Sequence, residues 1–192
     1  MRPQVFDRQL EQTISFREVK WEEDVERLHS WHQEEHVIPF WQQNMPLEQY
    51  KSHLKSLLAD THQTLWIGEI DGVPMSYWET YWCERDSIGS YYEVEKGDQG
   101  IHLLIGKQEY LGQGYALPML RLLTEHVLNT NGTNRVIAEP DSRNDKMIYI
   151  FGKCGYESKG QLSLPDKEAR LMICHQSVFQ QRWERLLHDT NV

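Results

Sequence analysis

Cysteine is scarce in this sequence of 192 residues. Three cysteines occur, Cys83, Cys154 and Cys174, and neither their odd number nor their spacing fits a disulfide framework or a zinc site. The sequence therefore predicts neither a disulfide scaffold nor a metal centre.

Long hydrophobic runs are also missing. No stretch reaches the roughly 18 apolar residues that a membrane-spanning helix needs. The opening segment MRPQVFDRQLEQTISF lacks the continuous apolar core of a signal peptide. We therefore expect a soluble, cytoplasmic protein that does not bind a membrane.

Positive charge is in deficit, with 20 Lys and Arg against 29 Asp and Glu and a formal net charge of −9. Such a chain lacks the broad basic surface that binds phosphate backbones, which excludes nucleic acid as an expected partner. No repeat, low-complexity segment or Gly/Ser/Pro-rich linker divides the sequence. We predict one domain over residues 13–192, with residues 1–12 as a loose N-terminal arm.

Aromatic residues, by contrast, are abundant, with seven Trp and nine Tyr. In so short a chain this number favours a pocket lined by some of them in addition to an aromatic core.

Hydrophobic spacing predicts a mixed α/β fold, in which strands first pair antiparallel and then alternate with helices. The first half is predicted as strand 13–19, helix 21–32, a loop over 33–46, a helix from Leu47, and strands 65–70 and 73–82 joined by a tight turn at Asp71-Gly72. The second half is predicted as a polar connection over 83–99, strand 101–105, a helix from about Gly114, strand 135–139, helix 147–153 stopped by Gly155, two strands turned at Pro165-Asp166, and a final helix 178–187.

A glycine-bearing turn, Tyr110-Leu-Gly-Gln-Gly114, joins strand 101–105 to the next helix. A turn of this kind directs backbone amides and the positive end of the helix toward an anion, and glycine lets a phosphate approach the backbone closely. The same pattern also occurs in ordinary turns. It is not a dinucleotide fingerprint, because the third glycine is missing, and it is not a P-loop, because no Lys-Ser/Thr follows.

The stretches GIHLLIGKQEYLGQGYALPMLRLL and RVIAEPDSRNDKMIYIFGKCGYE resemble the acyl-CoA-binding core of the GNAT acyltransferase superfamily. The resemblance implies an α/β fold with a mixed, mostly antiparallel central sheet flanked by helices, and acetyl-CoA as the acyl donor. It implies that amides of the glycine turn bind the pyrophosphate and that a strand edge pairs with the pantetheine arm. The implied donor-binding residues are Leu103, Leu104, Ile105, Leu111, Gly112, Gln113, Gly114, Tyr115 and Asn144.

Two positions depart from the family pattern. Glu109 stands where the family pattern has Gln or Arg, and Phe151 stands where a tyrosine often protonates the thiolate. No tyrosine general acid is therefore predicted at position 151.

Residues 36–82 resemble a segment of siderophore-biosynthesis acyltransferases. The match lies in the His and Trp of the 36–41 loop, the Gly-Glu-Ile-Asp-Gly hairpin and the Glu-Thr-Tyr-Trp end of the following strand. It implies acetylation of an N-hydroxylated lysine or diamine. Aminoglycoside 6′-N-acetyltransferases share the layout and are one alternative, and a catalytically idle acyl-CoA-binding module, which Phe151 would suit, is another.

The same resemblance implies a catalytic histidine at His102 and a catalytic aspartate at Asp141. These residue types suit the chemistry, because His accepts a proton near neutral pH and a carboxylate orients the ring and stabilises its charged form. From the sequence alone, His102 can also be explained as a hydrogen-bonded core residue.

The predicted acceptor-binding residues are His36, Trp41, Glu79 and Tyr81. Glu79 and Tyr81 share one face of their strand, so Glu79 would bind the ammonium or hydroxylamine while Trp41 or Tyr81 covers the methylene chain. Each of these residues can instead be explained by packing. Since no cysteine or serine is placed as an acyl carrier, direct transfer in a ternary complex is expected. The sequence makes no prediction about the oligomeric state.

Overall fold

A computed structural model describes residues 2–189 of the chain, with side chains as far as Trp183. Its helices are α1 Trp21–His32, α2 Ile38–Trp41, α3 Leu47–Ala59, α4 Ala116–Leu128, α5 Asp145–Cys154 and α6 Gln176–Asp189. Its strands are β1 Gln4–Asp7, β2 Gln12–Glu18, β3 Gln63–Ile70, β4 Val73–Trp82, β5 Gln99–Ile105, β6 Arg135–Ala138, β7 Glu157–Ser163 and β8 Glu168–His175. This confirms the predicted mixed α/β class. None of the described helices is long and apolar enough to cross a membrane.

The chain divides into two compact units. The first is formed by the chain up to Tyr81 and by His102–Leu122, and the second by Trp82–Ile101 and the chain from Leu123 onward. Strand β5 and helix α4 each contribute residues to both units. The single domain predicted for residues 13–192 stays a prediction.

In the first unit, strands β1 to β4 lie side by side in chain order with antiparallel pairing, and the end of β5 follows β4. The turn between β3 and β4 has positive φ at both central residues, 49° at Asp71 and 78° at Gly72. These angles suit the right-handed twist of a two-residue hairpin. The turn predicted at Asp71-Gly72 is confirmed.

Helices α1 and α3 pack on one face of this sheet because each carries apolar residues at helical spacing. Val25 and Leu28 of α1 and Tyr50 and Leu54 of α3 are buried. They form a core cluster with Leu65, Ile67, Tyr77 and Leu104 of the strands. These four residues thus form the buried faces of the two helices.

In the second unit, the start of β5 pairs in parallel with β6, and β8 pairs antiparallel with both β6 and β7. Helix α5 ends at Gly155, whose φ of 115° confirms the predicted C-terminal stop. The buried Arg135 binds both Asp98 carboxylate oxygens, at 2.8 and 2.5 Å, and the carboxylate of Glu95 at 2.6 Å. These contacts tie the connection between β4 and β5 to β6.

Two local predictions differ from the structure. The predicted arm over residues 1–12 forms β1, which pairs with β2. None of the four residues of β1 is buried, so the strand carries no inward-facing apolar pattern from which it could have been predicted. The loop predicted at 33–46 contains the single helical turn of α2, which ends at Gln42 with a φ of 52°.

A buried ion network joins β2, α1 and β3. The fully buried Asp24 accepts two hydrogen bonds from the Arg17 guanidinium, at 2.6 and 2.8 Å, and contacts Arg27. Arg17 also binds Glu69, at 2.9 Å. Burial alone would raise the pKa of Asp24, but the hydrogen bonds from Arg17 and from the Lys20 amide, together with the charges of Arg17 and Arg27, outweigh burial and lower the pKa. Asp24 is therefore an ionised carboxylate at neutral pH.

We predict that Asp24→Asn lowers the free energy of unfolding by about 3–5 kcal/mol, because it leaves the Arg17 charge buried without its main partner. Urea unfolding at neutral pH measures this loss. The native pKa of Asp24 lies below its unfolded value, so its contribution is fully present above about pH 4 and is lost as the pH falls through the native pKa. The difference between wild type and variant should therefore shrink in acid.

The matched control is Glu23→Gln, one residue away. Glu23 pairs with Lys20 at 2.9 Å, but both side chains are more than half exposed, and such pairs contribute less than about 0.5–1 kcal/mol. Equal losses in the two variants would contradict a stabilising role of the buried network.

Candidate active site

Three side chains of β4 and one of β5 form a continuous row of hydrogen bonds, which we call the His102 network. Tyr77, Glu79 and Tyr81 alternate along β4 and therefore project from the same face. The Tyr77 hydroxyl donates to Oε1 of Glu79 at 2.7 Å, and Oε2 of Glu79 accepts from Nδ1 of His102 at 3.0 Å. At the far side of the ring, Nε2 of His102 lies 3.1 Å from the Tyr81 hydroxyl.

The charge state of Glu79 determines the protonation of this network. Burial alone would raise the pKa of Glu79, but the hydrogen bond and charge of His102 and the hydrogen bond from Tyr77 outweigh burial and lower the pKa. Burial raises the pKa of Tyr77 well above its ordinary value, so Tyr77 stays a donor. Because an ionised carboxylate only accepts, the proton shared with Glu79 belongs to Nδ1 of His102.

The loop that contains α2 covers the same region. The Trp41 ring lies 6.1 Å from the His102 ring, edge to face, and 5.6 Å from Tyr77. Its Nε1 donates to the carbonyl of Leu103 at 3.1 Å, and His36 Nε2 donates to the carbonyl of Ile105 at 2.9 Å. The two loop residues predicted for the acceptor therefore contact the strand edge predicted for the pantetheine arm.

The glycine turn of residues 111–115 is exposed from Leu111 to Gly114 and leads directly into α4. Gly112 and Gly114 have φ of 73° and 86°, a conformation that L side chains rarely adopt, and a Cβ added at Gly112 would meet no atom within 4 Å. Glycine is thus required here by the backbone angles rather than by crowding. An open turn before a helix, whose first amides lack intrahelical partners, fits the phosphates of an acyl-CoA.

The donor residues predicted on β5 are buried or half-buried. The side chain of Leu104 is buried in the core cluster, so only its backbone can meet a ligand. The carbonyls of Leu103 and Ile105 already accept the bonds from Trp41 and His36. Pairing of this edge with a pantetheine arm stays a prediction.

Three predicted positions lie in the second unit. Asp141 accepts bonds from the Arg143 guanidinium at 2.9 and 2.7 Å and from its amide at 2.8 Å, which lowers the pKa of Asp141. Asn144 caps α5 by accepting from the Met147 amide at 3.2 Å. Phe151 is buried and packs edge to face on Tyr156, with ring centroids 5.0 Å apart. The roles predicted for Asp141 and Asn144 stay predictions.

The sequence interpretation assigned Glu79 and Tyr81 to the acceptor and did not include Tyr77. In the structure, Glu79 is the carboxylate that contacts His102, and Tyr77 holds its other oxygen. The two-residue alternation of Tyr77, Glu79 and Tyr81 was visible in the sequence. Which of these residues faces His102 depends on how β4 and β5 lie beside each other, and local spacing does not encode that.

Comparison with known proteins gives one family. The acetyltransferase (GNAT) domain matches residues 20–164 of the chain. An N-hydroxyputrescine acetyltransferase of Acinetobacter baumannii is 31% identical over 94% of this chain and 86% of that protein. An N(6)-hydroxylysine O-acetyltransferase of Escherichia coli is 31% identical over 91% of this chain, which spans 56% of that protein's length.

Two solved structures are similar over most of the chain. An uncharacterized protein of Bacillus halodurans has a TM-score of 0.92 and 52% identity, covering 95% of this chain and 94% of that one. The aminoglycoside acetyltransferase AAC(6′)-Ib in complex with coenzyme A has a TM-score of 0.79 and 25% identity, covering 88% of this chain and 98% of that one.

We predict that neutral His102 carries its proton on Nδ1, because Glu79 accepts there and Tyr81 donates to Nε2. Nitrogen chemical shifts of protein with ¹⁵N-labelled histidine report the tautomer, and the His102→Gln variant assigns the signal by its loss. A neutral ring protonated on Nε2 would contradict the proposed direction of both hydrogen bonds.

Proposed function

The chain belongs to the GNAT acetyltransferase family and is an acyltransferase, and from this premise we propose that it acetylates the hydroxylamine nitrogen of an N-hydroxylated lysine or diamine. The donor would be acetyl-CoA, and the product a hydroxamate of siderophore assembly. The observation that carries the proposal is the His102 network on β4 and β5, in which His102 directly precedes the strand edge predicted to hold the donor.

The acceptor class is supported by the named relatives, which act on N-hydroxyputrescine and N6-hydroxylysine. A hydroxylamine nitrogen is neutral at pH 7, so it can attack without losing a proton first. The base is then needed when the tetrahedral intermediate collapses, and a histidine oriented by a carboxylate serves that step. The net charge of −9 favours attraction of an acceptor that keeps a distal ammonium.

The donor would be held by backbone groups rather than by a cationic side chain. We propose that the amides from Leu111 to Tyr115 bind the pyrophosphate, that the edge from Leu103 to Ile105 meets the pantetheine arm, and that Asn144 lies near the donor. The positive φ at Gly112 and Gly114 and the open space at Gly112 support this assignment. Similar structures solved with coenzyme A support an acyl-CoA donor.

Transfer would be direct, in a ternary complex. An acyl-enzyme on cysteine would need a reactive thiolate, and all three cysteines are buried. Burial raises the pKa of Cys83 to about 12 and that of Cys174 to about 12. These thiols are unsuited to accept the acetyl group.

In this proposal, Glu79 orients His102 through Nδ1 and stabilises the ring when it becomes charged. Asp141 is retained as a second proposed catalytic carboxylate. Trp41, packed beside His102, would cover the methylene chain of the acceptor, with His36 next to it.

An aminoglycoside is the second candidate acceptor, supported by the likeness to AAC(6′)-Ib. Such an acceptor is polycationic and needs several carboxylates around it. The described surroundings of His102 instead combine Glu79 with the aromatic rings of Trp41, Tyr77 and Tyr81. This composition favours a slender acceptor with one reacting nitrogen.

We predict that free thiol is released fastest from acetyl-CoA with an N-hydroxyamine in a panel of N-hydroxylysine, N-hydroxycadaverine, N-hydroxyputrescine, lysine and kanamycin. The release is followed with a thiol reagent, and mass spectrometry identifies the N-acetyl-N-hydroxy product. Preference for kanamycin would replace the proposed acceptor class with aminoglycosides. Binding of coenzyme A without thiol release in the presence of any acceptor would favour a catalytically idle module.

We predict that His102→Ala lowers kcat by about 10²- to 10⁴-fold, the usual contribution of a general acid–base group, with almost unchanged affinity for acetyl-CoA. His175→Ala is the matched control, since His175 is also a half-buried histidine on a strand. Steady-state kinetics and calorimetric titration with acetyl-CoA separate the two effects. Wild-type turnover in His102→Ala would remove His102 from the mechanism.

A further inference from the structure

Both ring nitrogens of His102 are engaged within the chain. Nδ1 donates to Glu79, so in the neutral ring Nε2 is an acceptor, and the hydroxyl 3.1 Å from it belongs to Tyr81. The nitrogen that would accept a proton from a substrate is therefore already hydrogen-bonded to a tyrosine. A base in this position exchanges protons most directly with that hydroxyl.

We propose that Tyr81 is the catalytic residue that exchanges protons with the reacting atoms, while His102, hydrogen-bonded to it, holds the proton between the two transfers. The inference rests on the proposed acyl transfer and changes the role of Tyr81 from covering the acceptor to acting on it. Tyr77 and Glu79 then hold the ring so that Nε2 faces the Tyr81 hydroxyl.

Acyl transfer moves one proton from the acceptor nitrogen to the leaving sulfur. After nitrogen has bonded to the thioester carbonyl carbon, Tyr81 Oη accepts the nitrogen's proton from the tetrahedral intermediate and passes its own to Nε2 of His102, which becomes an imidazolium beside Glu79. As the carbon–sulfur bond breaks, the imidazolium returns the proton through Tyr81 Oη to sulfur. The products are the N-acetyl-N-hydroxyamine and the thiol of coenzyme A, and the enzyme regains its starting state.

The local environment suits such a relay. Tyr81 is only 2% exposed and is therefore largely shielded from bulk water, while the His102 side chain against which it lies is 32% exposed. The two rings are 4.8 Å apart, which holds the hydroxyl close to Nε2. The Glu79 carboxylate compensates the imidazolium charge when the proton resides on His102.

The first test is Tyr81→Phe, which removes one oxygen and keeps the ring. We expect kcat to fall by about 10²- to 10³-fold, with the KM for acetyl-CoA within about twofold of wild type, because the lost contact acts on the chemical step. Tyr156→Phe is the matched control, since Tyr156 is also buried and its hydroxyl bonds to Thr124 at 2.9 Å. Turnover of Tyr81→Phe within about threefold of wild type would overturn the proposal.

The second test separates proton transfer from packing and does not depend on the folding of Tyr81→Phe. Replacing Tyr81 by 3,5-difluorotyrosine, a more acidic phenol of almost the same size, should move the basic limb of the kcat–pH profile to lower pH. The same replacement at Tyr156 should leave that limb in place. An unchanged limb in the Tyr81 protein would assign Tyr81 to packing alone.

Both tests use the fastest acceptor of the panel, whichever class it belongs to. If that acceptor is not an N-hydroxyamine, the proposed acceptor class fails while the role of Tyr81 is still measured. If no acceptor of the panel causes thiol release, both proposals are overturned.

Discussion

The constraint on which the site depends is the burial of one charged carboxylate. Glu79 is 8% exposed, and an ionised group in such a position costs several kcal/mol unless donors surround it. Tyr77 and His102 supply one donor to each oxygen. Meeting this requirement sets the orientation of the His102 ring and places the proton of the neutral ring on Nδ1. The other nitrogen, Nε2, is then a hydrogen-bond acceptor. The chemistry proposed for the site thus follows from a requirement of folding.

The aromatic abundance noted in the sequence serves the same constraint. The rings of Trp41 and Tyr81 lie against His102, the ring of Tyr77 lies against Trp41, and together they place apolar surface beside the buried carboxylate. A low local dielectric strengthens each remaining hydrogen bond. Other aromatics, such as Phe16 packed edge-on against Trp78, belong to the core and have no evident part in the site.

Much of the fold could be predicted because it depends on near neighbours in the chain. Helix α1 begins and ends at the predicted residues, and the turn at Asp71-Gly72 follows from two residue types. Strand β1 was not predicted, because backbone pairing with β2 stabilises it and it has no buried apolar face. The Glu79–His102 contact joins residues 23 apart in sequence, and only strand register decides it. The resemblance to a known family identified His102 as a site residue, whereas its contact with Glu79 could be identified only from the structure.

Strand β5 also shows how side chains can bind backbone groups of a strand. Its ladder to β6 joins Gln99 to Val136 and Gly100 to Ile137, and farther along the strand the carbonyls of Leu103 and Ile105 bond to side chains of the α2 loop. A carbonyl that is shielded from water without a partner costs about 1–3 kcal/mol, so the N–H groups of Trp41 and His36 stabilise this partly buried part of β5. Two side chains thus supply donors of the kind that a backbone would otherwise supply. Any residue that replaces either of them must therefore keep an N–H donor, even where the size and apolar character of the ring are preserved.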